Sequence, residues 1–261
     1  MCCVMGFCSG LYTAEQIRPH FDLTKSRGPD DTRIETIGGG LLCFHRLSIM
    51  GLDERGMQPF SRGQNKVVCN GELYGWRAQR KGLEAKGYSF ASDSDCELLP
   101  LYEEYGLHMF TQLDAEFALI LYDGEQDRLI AARDPIGIRP LYYGYFEDGS
   151  IAFASEAQNL VGLCEQVRPF PPGHYYDGQN FVHYADLTTV TDYCGDDLET
   201  VCKGIRDRLI AGVENAWTRT RRSAFFSPAG WIPVWSARSL PGSWGKRSEP
   251  LPLAWIRIPS T

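Results

Sequence analysis

Residues 2–190 break into short apolar runs of four to seven residues, punctuated by Gly, Pro, Asn and Asp. That rhythm constrains the fold more than any single residue, because runs of this length suit strands and are too short for most helices. Cys2–Phe7, Ile34–Ile37, Leu41–Leu47, Lys66–Cys69, Phe117–Tyr122, Leu129–Ala132, Leu141–Tyr145 and Ile151–Ala154 read as strands, with Gly38-Gly39-Gly40 as one of the turns. Tyr175-Tyr176 and Phe181–Tyr184 read as a hairpin around Asp177-Gly178. Helices are fewer. Thr13 caps Thr13–Phe21, and Ser92-Asp93-Ser94-Asp95 offers caps for Cys96–Tyr105. Leu73–Lys86 is a weaker helix, because Gly75 and Gly82 interrupt it. Ser155-Glu156 reads as one more helix start. Leu198, Val201, Ile205, Leu209 and Val213 recur at helical spacing over 197–217. Hairpins with few helices imply an antiparallel α+β fold and exclude a parallel nucleotide-binding sheet.

The chain of 261 residues has room for one large domain or two small ones. No run approaches the ~18 uncharged apolar residues of a membrane span. A basic segment followed by an apolar one, the mark of a secretory leader, is not seen at the start. The nine cysteines show no CxxC or Cys/His pattern. They read as free thiols of a reducing cytoplasm, with no metal site expected.

Cys2 would become the terminal residue on removal of Met1. A thiol titrates near ~8.5 and an α-amine near ~7.7–8.0. The amine can therefore take the thiol's proton near neutral pH, which makes a nucleophile with its own base. Attack on an amide builds a negative oxygen that needs donors already in place. Asn70-Gly71, at a strand end, offers a carboxamide N–H and a backbone N–H. Arg46 can hold a carboxylate bidentately, and Glu72 and Asp95 can hold an ammonium. Read singly, Asn70-Gly71-Glu72 is a turn, Arg46 a surface ion pair and Asp95 a helix cap.

Taken in order, the blocks are specific: Cys2, Arg27-Gly28-Pro29-Asp30, His45-Arg46-Leu47-Ser48-Ile49, Asn70-Gly71-Glu72-Leu73-Tyr74, Ser94-Asp95-Cys96-Glu97 and Arg133-Asp134-Pro135-Ile136-Gly137-Ile138-Arg139-Pro140-Leu141-Tyr142. Ala154-Ser155-Glu156 and Phe170-Pro171-Pro172-Gly173-His174-Tyr175 continue the series. Over residues 2 to about 217 this pattern resembles the glutamine amidotransferase domain of glutamine-hydrolysing asparagine synthetases of bacterial type. The resemblance implies an N-terminal-nucleophile hydrolase fold, a four-layer α/β/β/α sandwich of two antiparallel sheets. It implies Cys2 as nucleophile and Asn70 with Gly71 as the oxyanion hole. It implies Arg46, Ser48, Ile49, Glu72 and Asp95 in the substrate site, with Arg46 on the carboxylate of L-glutamine. Glutamate and ammonia would be the products, and a synthetase domain or separate subunit would take the ammonia. The sequence departs from the family at Cys3, usually Gly or a small residue, at Ser26, usually His, and at Gly75, usually Asn.

Residues 2–190 are therefore expected to form the amidotransferase domain, and 191–217 a linker and the first helix of a second domain. That second domain would bind ATP and magnesium through an SGGLDS loop, which this sequence lacks, so no cofactor is expected for the residues present. Net charge is −7, unevenly spread. Residues 218–261 carry seven Lys/Arg against Glu249 alone, with four of the six Trp. Such a tail reads as a nucleic-acid arm, but an alternative explains it better. Codons for residues 226–236, read in a shifted frame, permit Leu-Ser-Gly-Gly-Leu-Asp-Ser-Ser-Leu-Val. The tail is then expected to be out of frame and disordered, and neither nucleic acid nor membrane is expected as a partner. An inactive remnant of a frameshifted gene is the rival reading to an active glutaminase.

Overall fold

In the computed structural model the described residues are 1–49, 52–216, 226–227 and 230–231. In chain order the first half holds β1 (Cys3–Cys8), α1 (Ala14–Phe21), β2 (Asp31–Ile37), β3 (Gly40–Arg46), β4 (Phe60–Arg62), β5 (Asn65–Leu73), α2 (Trp76–Ala85) and α3 (Leu99–Tyr105). The second half holds β6 (Ala115–Asp123), β7 (Arg128–Arg133), β8 (Tyr142–Tyr145), β9 (Ile151–Ala154), β10 (Val167–Pro169), β11 (His174–Tyr176), β12 (Phe181–His183) and α4 (Leu198–Ala216). They build two six-stranded sheets, ordered β10-β8-β9-β1-β3-β2 and β12-β11-β7-β6-β5-β4. Every strand pairing in them is antiparallel.

Period-2 alternation sorts each strand into two faces. Cys3, Met5 and Phe7 of β1 and Leu41 and Cys43 of β3 pack outward against Ile17 and Phe21 of α1. Val67, Cys69 and Leu73 of β5 pack outward with Leu83 of α2 and Leu99 and Tyr102 of α3. Val4, Leu42, Phe44, Val68, Ile120 and Phe153 fill the layer between the sheets. Two sheets face to face with helices outside each give the expected four layers.

The antiparallel α+β reading holds, with local corrections. Leu73 ends β5 and does not begin a helix; α2 starts at Trp76. Asn70-Gly71 is likewise no turn but strand interior, paired with Ala118 and Phe117 of β6. The α3 helix begins at Leu99 with no side-chain cap. Groups expected to cap it are used otherwise: Ser92 Oγ donates to Glu97 Oε2 at 2.9 Å and accepts from Ser94 N–H at 3.1 Å, and Asp95 turns toward β5. Only a short 3-10 turn, Ala157–Asn159, follows Glu156. Gly75 precedes α2 at φ +66, in the left-handed region that Gly and Asn tolerate best. The departure from the family's usual Asn is conformationally neutral there.

Near the end of the chain, among the described residues, Phe226–Ser227 pairs antiparallel with Gly230–Trp231. Those four residues aside, the tail expected at 218–261 lies outside the described residues.

Candidate active site

The cleft lies where the hydrocarbon between the sheets stops. Cys2 continues the face of Val4, Arg46 the face of Phe44, and Asn70 and Glu72 the face of Val68, each by the period-2 rule. All four line one cleft together with Ile49, Gly71 and Asp95. The cavity itself is narrow, about 50 Å³, and Met1 is among the residues that line it. Ser48 is not among the lining residues. Its N–H donates to Asp30 Oδ2 at 2.7 Å and so ties the segment after β3 to the Arg27–Asp30 turn.

The sequence blocks meet around β1. Arg27 Nε donates to the Cys2 carbonyl at 3.4 Å while its Nη1 pairs with Glu156 Oε1 at 2.6 Å. Ser155 clasps Val4: its Oγ accepts from Val4 N–H at 2.9 Å and its N–H donates to Val4 O at 2.8 Å. Asp30 N–H donates to Arg46 O at 3.0 Å. The Cys2 Sγ sits against Leu47, accepting from its N–H at 3.3 Å and lying 3.5 Å from its carbonyl. Burial pushes the Cys2 thiol up, with the Leu47 hydrogen bond opposing. Burial pushes the terminal amine of Met1 down, and the Arg27 and Arg139 cations add to that. The Met1 amine donates to Arg27 O at 3.1 Å.

Cys3 points the other way. It is buried among α1-facing residues, with its Sγ 3.0 Å from Thr24 Oγ1. Among the described residues no group of three or more His, Cys, Asp and Glu side chains could hold a metal ion.

On β5 one edge pairs with β6 throughout, from Lys66 to Leu73, while β4 covers the other only from Asn65 to Val67. Beyond β4, side chains finish that edge. Gln58 Oε1 accepts from Cys69 N–H at 2.6 Å and its Nε2 donates to Cys69 O at 3.1 Å. Cys96 Sγ lies 3.5 Å from Gly71 O, and Asp95 Oδ2 accepts from Leu73 N–H at 2.9 Å. Backbone groups of residues two apart point to the same edge, so the Gly71 N–H faces this open side. Opposite Gly71, Phe117 turns its own groups toward Asp134, whose carboxylate accepts from Phe117 N–H at 3.2 Å. A side chain at position 71 has no room: its Cβ would stand 2.7 Å from Glu116 O. The Asn70 Nδ2 is buried and has no hydrogen-bond partner, a state that costs about 1–3 kcal/mol until a ligand supplies one. Burial pushes the Asp95 carboxyl up, with the N–H groups of Leu73, Asp95 and Cys96 opposing.

The chain matches the family model described as a glutamine amidotransferase domain over residues 1–184. The chain belongs to that family. Within it, the chain is 37% identical over 194 residues to a probable glutamine-hydrolysing asparagine synthetase of Dictyostelium discoideum, covering 70% of this chain and 35% of that protein. It is 39% identical over 161 residues to asparagine synthetase B of Escherichia coli, covering 60% and 29%. A probable asparagine synthetase of Acanthamoeba polyphaga mimivirus is 34% identical over 241 residues, covering 80% and 43%. The chain thus spans less than half the length of each of these relatives. The fold matches glutamine phosphoribosylpyrophosphate amidotransferase from B. subtilis with a TM-score of 0.57 at 20% identity, covering 70% of this chain and 49% of that one. That likeness establishes the amidotransferase fold.

Arg139 and Gln58 are among the lining residues that carried no role in the sequence reading. Arg139 reaches the cleft from the Arg133–Tyr142 block, pairing with Glu116 Oε1 at 2.7 Å and touching the Met1 sulfur. Its loop is wound around Asp134, whose Oδ1 accepts from the Ile136, Gly137 and Ile138 N–H groups. The block was conspicuous in the sequence, but no signal showed which of its arginines faces inward. Gln58 gave no signal at all, being a loop residue between Met57 and Pro59.

Proposed function

We propose that this chain is a glutaminase that hydrolyses L-glutamine to L-glutamate and ammonia through a thioester on Cys2. One observation carries the reading: the Cys2 sulfur shares a single cleft with Arg46, Asn70, Gly71, Glu72 and Asp95, where the Asn70 amide lacks an acceptor. Arg46 takes the substrate carboxylate in a bidentate grip. Glu72 and Asp95 take its ammonium, and Ile49 supplies apolar wall. Removal of Met1 frees the Cys2 amine. That base is needed, because burial keeps the thiol protonated. The amine takes the thiol proton and the sulfur attacks the γ-carboxamide carbon. The carbonyl electron pair moves onto oxygen, which Asn70 Nδ2–H and Gly71 N–H receive. Collapse expels ammonia, which leaves with the amine's proton. Water then attacks the thioester and releases glutamate.

The relatives' names add a destination for the ammonia. A synthetase domain or subunit that amidates aspartate with ATP and magnesium would consume it, on residues other than those described. Cytoplasmic location accords with a site built on a free thiol; no described helix is long and apolar enough to cross a membrane.

Purified full chain, shown by intact mass to lack Met1, is expected to release glutamate from glutamine. Cys2→Ala should lower turnover by about 10⁴-fold or more, the scale of losing a nucleophile. Absence of glutamate release from the Met1-free chain overturns the proposal.

A further inference from the structure

The β5 strand carries both proposed oxyanion donors, yet on one edge it has no neighbouring strand where they sit. The β4–β5 register pairs Phe60 with Val67, Ser61 with Lys66 and Arg62 with Asn65. Continued by two residues, that register would set Gln58 opposite Cys69. The chain leaves the sheet at Pro59, whose nitrogen has no hydrogen to donate. In place of a backbone partner, Cys69 meets the Gln58 carboxamide, which accepts from its N–H and donates to its C=O. A carboxamide has the donor and acceptor of a peptide group, so this side chain stands in for a missing strand residue. Gln58 is buried and also lines the cleft.

The consequence lies one peptide further on. The Cys69 carbonyl belongs to the same rigid plane as the Asn70 N–H. Holding both polar groups of Cys69 therefore sets the twist with which β5 enters Asn70 and Gly71. The β6 strand does not reach these groups, which face the edge of β5 that β4 leaves uncovered beyond Val67.

We propose that Gln58 is a positioning residue for the oxyanion donors: its carboxamide extends the β-ladder at Cys69 and so aims Asn70 Nδ2 and the Gly71 N–H at the substrate carbonyl. This rests on the glutaminase reading above. An interaction that aims donors at a developing charge acts on the transition state more than on bound substrate. Removing it should lower kcat and leave KM nearly untouched.

Gln58→Leu in the Met1-free full chain should lower kcat about 10- to 100-fold, less than loss of an oxyanion donor itself, with KM within about threefold. The γ-aldehyde of glutamate supplies a readout that mere loosening would not move. The Cys2 thiolate adds to its carbonyl, a C–S bond forms, and the carbonyl pair becomes an alkoxide in the oxyanion hole. Its affinity should fall about tenfold or more in Gln58→Leu, while that of glutamate, which forms no such adduct, stays the same. Gln58→Glu guards against a variant that fails to fold. Its carboxyl, when protonated, has an O–H for Cys69 O and a carbonyl for Cys69 N–H. Its kcat relative to the parent chain should therefore rise as pH falls from 8 to 6. An unchanged kcat in Gln58→Leu, an equal loss of aldehyde and glutamate affinity, or a flat Gln58→Glu ratio overturns the proposal while leaving the glutaminase reading standing. A parent chain that releases no glutamate overturns both.

Discussion

Along β1, β3 and β5 one strand face changes character within two residues. Val4, Phe44 and Val68 bury hydrocarbon between the sheets. The next positions on those same faces are Cys2, Arg46 and Asn70, which surround the cleft. In the apolar layer each side chain is held by many weak contacts, and what matters is the volume filled. In the cleft each group has a chemical task that only a few atoms can perform, and one of them, Asn70 Nδ2, is left unsatisfied. The difference teaches that one period-2 pattern supplies both stability and chemistry: stability from its middle, chemistry from its ends.

The sharpest way to break that contrast is to cut the middle. Phe153 is fully buried between the sheets, with Tyr176 and Phe170 rings 5.5 and 5.8 Å away. Phe153→Ala should destabilise the fold by about 3–5 kcal/mol. Turnover per folded molecule should stay near the parent value, as read by chemical denaturation beside active-site titration. A loss of turnover in fully folded protein would dissolve the distinction.

The reverse cut is Asn70→Ala. It should lower kcat by about 10²–10³-fold, or roughly 2.7–4 kcal/mol of transition-state stabilisation. Because the lost donor had no partner, stability should hold or rise by a fraction of the about 1–3 kcal/mol such a group costs. A clear fall in melting temperature would show that Asn70 serves the core as well.

The smallest effect concerns Asp95. Burial raises its carboxyl above the ordinary Asp value, so the folded state favours the protonated form. Its contribution to stability is complete below the ordinary value and is lost as pH rises through the raised one. A substrate ammonium pairs with the ionised form. The KM for glutamine should therefore fall as pH rises toward that raised value, by up to tenfold per unit, or about 1.4 kcal/mol, and level off above it. Steady-state kinetics between pH 4 and 7 measures this, and Asp95→Asn should flatten the profile. A KM that rises over that span would mean the carboxyl binds protonated.

Much of the arrangement was legible beforehand. Short runs with turn residues announced antiparallel sheets, since a strand's period and length are local properties. Thr13 and Gln16 form the capping box that the sequence of α1 implies. The β11–β12 hairpin falls where Asp177-Gly178 marks a turn. Local signals failed where distant partners overrode them. Asn70-Gly71 has the composition of a turn, but pairing with β6 draws it into a strand. Ser94-Asp95 has the composition of a helix cap, but the free N–H of Leu73 claims the Asp95 carboxylate.

By itself the order of residues determined the sheet class, the alternation that buries one face of each strand, and the set of chemically apt side chains, because these depend on neighbours within a few positions. Only the tertiary structure decided that Cys2, Arg46, Asn70 and Asp95 share a cleft, that Cys3 faces away from it, and that Gln58 takes over from a missing strand at Cys69. Those outcomes depend on which edges meet across tens of residues, and the energy that selects them is spread over the whole sandwich.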